Sequence, residues 1–128
     1  MEKISLEPIG YVATEESDVP RFYTVSEVQG ELIIDASLQA GLSDIEIGSE
    51  IVVLFYFHLS REFSAEDLQV IPPSRRDLRG VFSTRSPVRP NPIGLSKLTV
   101  TSVRENRIGV KGLDMLDGTP ILDIKPDK

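Results

Sequence analysis

The sequence predicts an all-β fold, a barrel or a sandwich with short helical or irregular connections. Three observations indicate this class: several short apolar or alternating segments, turn signals at close spacing, and little helical periodicity. The 128 residues contain no internal repeat and no composition break typical of a linker. We therefore expect one domain over residues 1–128.

The first elements are two candidate strands separated by a loop. Ile4–Thr14 is the first candidate strand, and Glu15–Pro20 reads as an exposed loop. The second candidate strand is Glu31–Asp35, where Leu32 and Ile34 fall on one face because side chains alternate along a strand.

A short helix and a strongly apolar strand are expected next. Ala36–Leu42 favours one or two helical turns, with Gly41 in the usual stop position. Ile51–Phe57 is continuously apolar and β-branched or aromatic, which is typical of a central strand buried on both faces. This strand ends at His58, the only histidine.

The C-terminal third predicts further short strands and a hairpin. Leu98–Thr101 alternates apolar and polar residues, and a turn at Glu105-Asn106 leads into Ile108–Val110. Asp117-Gly118 lies between two apolar segments, and an Asp-Gly pair in that position is a hairpin signal because it readily adopts positive φ. The predicted hairpin strands are Leu113–Leu116 and Thr119–Leu122.

Composition excludes several classes of protein. No apolar run approaches the roughly 20 residues of a membrane-spanning helix, and the N-terminus lacks the plan of a secretory signal, so a cytoplasmic protein is expected. The absence of cysteine and the single histidine exclude disulfides and a classical zinc site, so no metal is expected. Neither a dinucleotide-binding glycine motif nor a P-loop is present.

The net charge of −6 is unevenly distributed. Residues 75–97 hold six basic residues against one acid, a local charge of +5, and the remainder of the chain carries −11. A basic stretch on an acidic body suits a local anionic ligand or an RNA backbone. Charge alone fits equally well a solvated loop whose arginines pair with acids elsewhere.

The segment Arg79–Ser96 has the features of a stiff basic loop. Pro87, Pro90 and Pro92 fix φ and push their predecessors toward extended geometry. Such a loop can hold Arg85 and Arg89 in place to recognise a carboxylate or a phosphate. Gly80 and Gly94 bracket the loop, where the backbone can bend or approach a ligand closely. A proline-rich surface loop with incidental arginines is the alternative.

The string Arg79–Ser96, RGVFSTRSPVRPNPIGLS, resembles the signature of the TsaA-like family. Further motifs of that family recur in order: Pro8-Ile9-Gly10, Pro20-Arg21, Phe57-His58, Leu113–Pro120 and Leu122–Pro126. The resemblance covers nearly the whole chain. Phe22-Tyr23 departs from the family, in which glutamine usually follows the proline-arginine pair.

The resemblance implies a compact β-barrel that binds S-adenosylmethionine and works as a homodimer. Studied members of the family methylate N6 of threonylcarbamoyladenosine beside the tRNA anticodon, so the anticodon loop of tRNA is the implied partner. The cofactor-binding residues carried over by motif are Arg21, His58, Leu59, Arg85, Leu95, Asp114, Met115, Leu116 and Asp117.

The residue types suit these roles. Arg85 is a natural partner for the methionine carboxylate of the cofactor, and Arg89 and Asn91 are candidate substrate-binding residues. Asp117, before Gly118, is an equally good turn residue. Methyl transfer depends largely on positioning, and the acceptor nitrogen is a poor nucleophile because it is conjugated to a carbonyl.

Asp123 is therefore the candidate base, and Lys125 the candidate for stabilising negative charge on that carbonyl. The same two residues could instead pin the C-terminal strand. Unpaired anticodon bases would need aromatic partners, and the candidates are Phe22, Tyr23, Tyr56 and Phe63. Two other functions stay open: an S-adenosylmethionine-binding module or sensor without methyl transfer, and a non-enzymatic RNA- or protein-binding barrel.

Overall fold

The computed structural model describes residues 1–15 and 26–128. Six strands form a closed barrel in the order β1-β2-β7-β6-β3-β8, and every neighbouring pair is antiparallel. Two short strands, β4 and β5, pair outside the barrel. The eight strands are β1 Gly10–Ala13, β2 Gln29–Ile34, β3 Glu50–Tyr56, β4 Gln69–Val70, β5 Arg79–Gly80, β6 Ile93–Arg104, β7 Arg107–Lys111 and β8 Pro120–Pro126. The predicted β-barrel is confirmed.

The described connections are short helical turns and irregular loops, as predicted. The 3₁₀ helices are Ala36–Leu42, Ala65–Leu68 and Val81–Ser83. Asp35 caps the first of them, because its Oδ1 accepts a hydrogen bond from the Ser37 N–H at 2.9 Å. Within the described residues, no helix is long and apolar enough to cross a membrane.

The barrel interior is filled by alternate residues of its strands. On β6, Gly94, Ser96, Leu98 and Val100 are buried, whereas the residues between them face outward. The interior is apolar apart from a few hydroxyl groups, and its members include Val12, Leu32, Val53, Leu98, Ile108, Val110, Leu113, Met115 and Ile121. Burial of these side chains is the main stabilising contribution.

β3 corrects one expectation about burial. Its inward residues Ile51, Val53 and Phe55 are buried, but Val52 and Leu54 are half-buried and Tyr56 is exposed. The continuous apolar run predicts a strand covered on both faces, whereas a closed barrel covers only the inner face. The outer residues of β3 instead lie beside the outer residues of β6 and β8.

The first strand and the hairpin were predicted wrongly in extent. β1 begins at Gly10, and residues 1–8 are exposed and belong to no strand. Asp117-Gly118 forms a turn, with Gly118 at φ 82°, but Leu113–Leu116 is not a strand. Leu113 and Met115 insert into the core, and the Gly118 N–H donates to the Val12 carbonyl at 2.7 Å. The turn therefore joins the core to β8, which pairs with β1 and β3.

The signature segment is more regular than a loop. It begins as β5 and ends as the start of β6, the longest strand of the barrel. Between the two strands, Val81–Ser83 forms a 3₁₀ helix and residues 84–92 are irregular. The predicted loop Glu15–Pro20 lies outside the described residues except for Glu15.

Candidate active site

A cavity of about 560 Å³ opens at the end of the barrel where β3 finishes and β6 begins. Three separated parts of the chain form its wall: the end of β3 with the turn after it, the signature segment, and the segment before β8. The lining residues include Phe55, Phe57, His58, Leu59, Thr84, Arg85, Arg89, Ile93, Gly94, Leu95, Asp114, Met115, Leu116 and Thr119. The volume lies within the usual range for small-molecule sites.

The turn after β3 is held by hydrogen bonds to the signature segment. The Phe57 N–H donates to the Pro92 carbonyl at 2.8 Å, and the Ser60 hydroxyl donates to the Pro87 carbonyl at 3.3 Å. The His58 N–H donates to the Tyr56 carbonyl at 2.9 Å, which closes the turn. His58 is half-buried at the cavity wall, and Leu59 is 72% exposed at its rim.

The aromatic floor of the cavity depends on Gly94. A Cβ atom at this position would lie 2.3 to 2.8 Å from three ring carbons of Phe55. The Phe55 ring in turn contacts the ring of Phe57 edge to face, with 5.0 Å between the ring centroids. Glycine is therefore required at position 94 for the packing of Phe55 rather than for backbone flexibility.

Arg89 acts within the signature segment as a brace. Its Nη1 donates to the carbonyls of Thr84 at 2.9 Å and Ser86 at 3.1 Å. These bonds fold residues 84–89 into a compact bend that places Arg85 at the cavity. Arg85 Nη1 donates to the Leu95 carbonyl at 3.3 Å, so its guanidinium lies along the start of β6.

Asp114 is the carboxylate that lines the cavity in the described part of the chain. Its Oδ1 accepts a hydrogen bond of 2.5 Å from the hydroxyl of Ser96, which is fully buried. That bond fixes one oxygen of the carboxylate. Ser96 is thus a residue that the sequence did not identify as part of the site, although it ends the signature.

Most of the predicted cofactor-binding residues meet at this cavity. His58, Leu59, Arg85, Leu95 and the run Asp114–Leu116 all line it. Arg21 lies outside the described residues. Asp117 does not line the cavity, and its Oδ1 accepts from the Thr14 N–H at 3.0 Å, which ties the turn before β8 to β1.

Of the two predicted substrate-binding residues, one lines the cavity. Arg89 does so while bracing the loop. Asn91 is exposed and away from the cavity wall, and its carbonyl accepts from the Ile93 N–H at 2.7 Å.

The predicted catalytic pair lies elsewhere. Asp123 and Lys125 form an ion pair of 3.0 Å and line a groove of about 740 Å³ beside the helix Ala36–Leu42. Asp123 Oδ1 also accepts from the Ile124 N–H at 2.9 Å. On the outer face of the barrel, Leu54 of β3 is the cross-strand neighbour of both Leu95 and Asp123. Two strand spacings, roughly 10 Å, therefore separate Asp123 from the cavity wall at Leu95.

Sequence reasoning missed several lining residues. Phe57 and Ile93 precede predicted residues by one and two positions, and Thr84 and Thr119 belong to the same motifs. Their membership in the motifs was the available signal. Within the described residues, no cluster of three or more histidine, aspartate or glutamate side chains is placed to hold a metal ion.

The residues of the cavity fit S-adenosylmethionine. Phe55, Phe57, Leu95 and Met115 offer apolar surface to an adenine ring, and the exposed Leu59 and Leu116 at the rim would be covered by a ligand. Arg85 offers a guanidinium to a carboxylate. The Asp114 carboxylate, which the Ser96 hydroxyl orients, has the chemistry to accept from an ammonium or a ribose hydroxyl.

Comparison with known proteins supports a family assignment. The family model described as the tRNA-methyltransferase O N-terminal domain matches residues 11–127. An S-adenosyl-L-methionine-binding protein of Archaeoglobus fulgidus is 42% identical over 123 residues, which cover 94% of this chain and 86% of that protein. The human tRNA (adenine(37)-N6)-methyltransferase is 35% identical over 129 residues, covering 94% of this chain and 29% of the human protein.

A crystal structure of TrmO from Pseudomonas aeruginosa has the same fold. It aligns with a TM-score of 0.78 and 31% identity over 100% of this chain and 56% of that chain. A second crystal structure of TrmO gives a TM-score of 0.77 and 31% identity, covering 99% of this chain and 58% of that one. The chain therefore spans a little over half the length of these solved structures.

Proposed function

Because the chain belongs to the family of the tRNA-methyltransferase O N-terminal domain, we propose that it binds S-adenosylmethionine at the barrel-end cavity and transfers the methyl group to tRNA. The proposed acceptor is N6 of threonylcarbamoyladenosine next to the anticodon. One observation carries the cofactor site: residues that are far apart in sequence, 58–59, 85, 95 and 114–116, line one cavity. The names of the relatives from Archaeoglobus fulgidus and from humans support the cofactor and the RNA acceptor, respectively.

The chain contributes to the reaction mainly by positioning. When bound, S-adenosylmethionine supplies a methyl group whose bond to sulfur breaks with the electron pair left on sulfur, while N6 forms the new bond and loses its proton. Arg85 holds the carboxylate end of the cofactor, and Asp114, oriented by Ser96, accepts hydrogen bonds from its polar groups. The aromatic and leucine side chains exclude water from the reacting atoms.

The identity of the proton acceptor stays a prediction. His58 and Asp114 are the ordinary proton acceptors among the described residues of the cavity. Asp123, predicted from the motif, is roughly 10 Å from the wall at Leu95, and a nucleotide lying across the outer face of β3 could span that distance. Under single-turnover conditions with saturating cofactor, a base role predicts that Asp123→Asn lowers the transfer rate about 100-fold or more at unchanged cofactor affinity. A loss of less than about threefold would assign proton removal to another group.

The experiment that tests the proposal is transfer of labelled methyl groups. The protein is incubated with methyl-labelled S-adenosylmethionine and with tRNA that either carries or lacks the threonylcarbamoyl group. Label only in the modified tRNA is the expected result. Label in both forms would contradict the acceptor, and label in neither would contradict methyl transfer to tRNA.

A binding module without transfer is the second candidate. Several relatives are named only for binding S-adenosylmethionine, and the predicted catalytic pair is absent from the cavity wall. Binding measured by calorimetry that is lost in Arg85→Ala, together with no transfer to any tRNA, would favour this function.

Assembly is also part of the proposal. The family resemblance implies a homodimer, and we propose that state for the protein in solution. Light scattering coupled to size exclusion tests it, with a mass near twice the 14.2 kDa of the chain expected.

A further inference from the structure

Phe82 is an aromatic side chain held rigidly in solvent. It is 76% exposed at the centre of the 3₁₀ helix Val81–Ser83. Val81 beside it is buried, and both the N–H and the hydroxyl of Thr84 donate to the Val81 carbonyl, at 3.1 and 2.9 Å. The backbone under Phe82 is therefore fixed, although its ring has little to pack against. An exposed ring on a fixed support is suited to stacking.

Two consecutive exposed arginines precede the signature segment. Arg75 and Arg76 are exposed and form no ion pair within the described part of the chain. Arg75 lines a cleft of about 590 Å³ together with Phe82, and the rest of that wall comes from residues 70–74 and 83–86. An aromatic ring and a cation thus face one depression.

The cleft adjoins the proposed cofactor cavity. Thr84 and Arg85 line both, so the two depressions share one wall. A chain of nucleotides whose reactive base enters the cavity would pass over this wall, and its neighbouring base would then reach Phe82.

We propose that the flap surface, defined as residues 70–76 and 82–86, binds unpaired RNA nucleotides flanking the methylated base. Phe82 stacks on one base, and Arg75 and Arg76 contact phosphates. The inference rests on the proposed tRNA acceptor. Charge complementarity carries the choice of RNA. The flap surface holds Arg75, Arg76 and Arg85 and no acidic residue, on a chain whose net charge is −6, so this surface attracts a polyanion that the rest of the protein repels.

Binding of a fluorescent RNA hairpin with an adenosine in its loop tests the flap surface. Base–aromatic stacking predicts that Phe82→Ala lowers the affinity for the hairpin roughly 5- to 150-fold, and that Phe82→Trp retains the wild-type affinity. Ile47→Ala, at a comparably exposed apolar residue, is the matched control and should change nothing. A duplex of the same composition should bind more weakly than the loop.

Salt dependence tests the arginines. Removing two phosphate contacts to single-stranded RNA should reduce the slope of log K against log salt by about 1.4 in the double variant Arg75→Ala/Arg76→Ala. Arg104→Ala is the control, because this exposed arginine at the end of β6 also forms no ion pair within the described residues. Phe82→Ala should leave the slope unchanged.

The outcomes separate this inference from the proposed function. If Phe82→Ala transfers methyl groups with the same KM for tRNA as the wild type, RNA binding by the flap surface is overturned and the proposed function stands. Hairpin binding that depends on Phe82, without any methyl transfer, would support the flap surface and contradict the proposed function. Equal binding of loop and duplex, or no binding of RNA by the wild-type protein, would overturn the inference. Contact with a protein partner would then be the remaining explanation for the exposed ring of Phe82.

Discussion

Gly94→Ala should displace the ring of Phe55, which borders the cavity. The added Cβ would lie 2.3 Å from Cζ of Phe55 and within 2.8 Å of two further ring carbons. Because ordinary contacts begin near 3.4 Å, the ring must move by about 1 Å. Phe55 lies in the core and also borders the cavity, so the displacement costs either core packing or cavity space.

The expected magnitudes follow from this overlap. Overpacking of this kind costs about 1–3 kcal/mol of the free energy of unfolding, which corresponds to a decrease in Tm of roughly 3–12 °C for a chain of this size. The affinity for S-adenosylmethionine should fall at least about tenfold, or 1.4 kcal/mol. Thermal unfolding followed by circular dichroism and calorimetric titration with S-adenosylmethionine measure the two effects.

Gly80→Ala is the matched control from the same signature. A Cβ at Gly80 meets no atom within 4 Å, and its φ of −61° suits any residue, so the variant should be as stable as wild type or about 0.4–1 kcal/mol more stable. In a Phe55→Leu background, Gly94→Ala should cost less, with a coupling energy of about 0.5–3 kcal/mol. Wild-type Tm and affinity in Gly94→Ala would refute the packing argument.

Three further predictions concern single side chains. Arg85→Ala should weaken S-adenosylmethionine binding roughly 10- to 150-fold, because a charge-assisted hydrogen bond contributes about 1.5–3 kcal/mol; calorimetry in which this variant binds like wild type would remove Arg85 from the site. Ser96→Ala, which removes the bond to Asp114, should weaken the same binding about tenfold, whereas Ser102→Ala on the exposed part of β6 should not. Asp67 accepts hydrogen bonds from Arg61 and from the Ser64 N–H, which hold the pKa of its carboxyl well below the usual range. The stabilisation of this loop by the Asp67 carboxylate is therefore present above about pH 4 and is lost as the pH falls through the folded pKa. Asp67→Asn should speed hydrogen exchange of the Ser64 amide at neutral pH, and an unchanged exchange rate would contradict this stabilising role.

Local patterns predicted the elements that local chemistry dictates. Leu32 and Ile34 lie on the inner face of β2 because alternation fixes the face of a strand once one side is buried. The helix Ala36–Leu42 was predicted with its observed bounds, but Gly41 lies within it rather than stopping it. The turn at Glu105-Asn106 was also predicted, and Glu105 has the positive φ of 56° that such a turn requires.

Errors arose where distant segments decide the structure. The sequence around Asp117-Gly118 is typical of a hairpin because both flanks are apolar. In the structure those apolar residues pack in the core, and the turn forms hydrogen bonds to β1 and to Thr14 after it. The outer residues of β3 are half-buried because of the closure of the barrel, which no window of sequence contains. Gly94 was expected to serve a bend or a ligand, whereas the ring of Phe55, a residue on another strand, requires it.

For the candidate site too, the sequence identified some residues correctly and left the position of others undetermined. Motif resemblance named seven residues that line one cavity, although they lie far apart in the chain. It did not separate them from Asp123, whose place depends on the register of β8 against β3. The exposure of Phe82 could not be predicted from the signature, because exposure depends on how the whole chain folds.

The most direct test of the cofactor site uses the two methionines of the chain. Met115 lines the cavity and is 2% exposed, whereas Met1 is fully exposed and does not line it. In protein labelled with ¹³C at the methionine methyl groups, titration with S-adenosylmethionine should shift the Met115 signal and leave the Met1 signal in place, and Arg85→Ala should move the transition to higher ligand concentration. A Met115 signal that stays constant at saturating S-adenosylmethionine would contradict the assignment of the cavity.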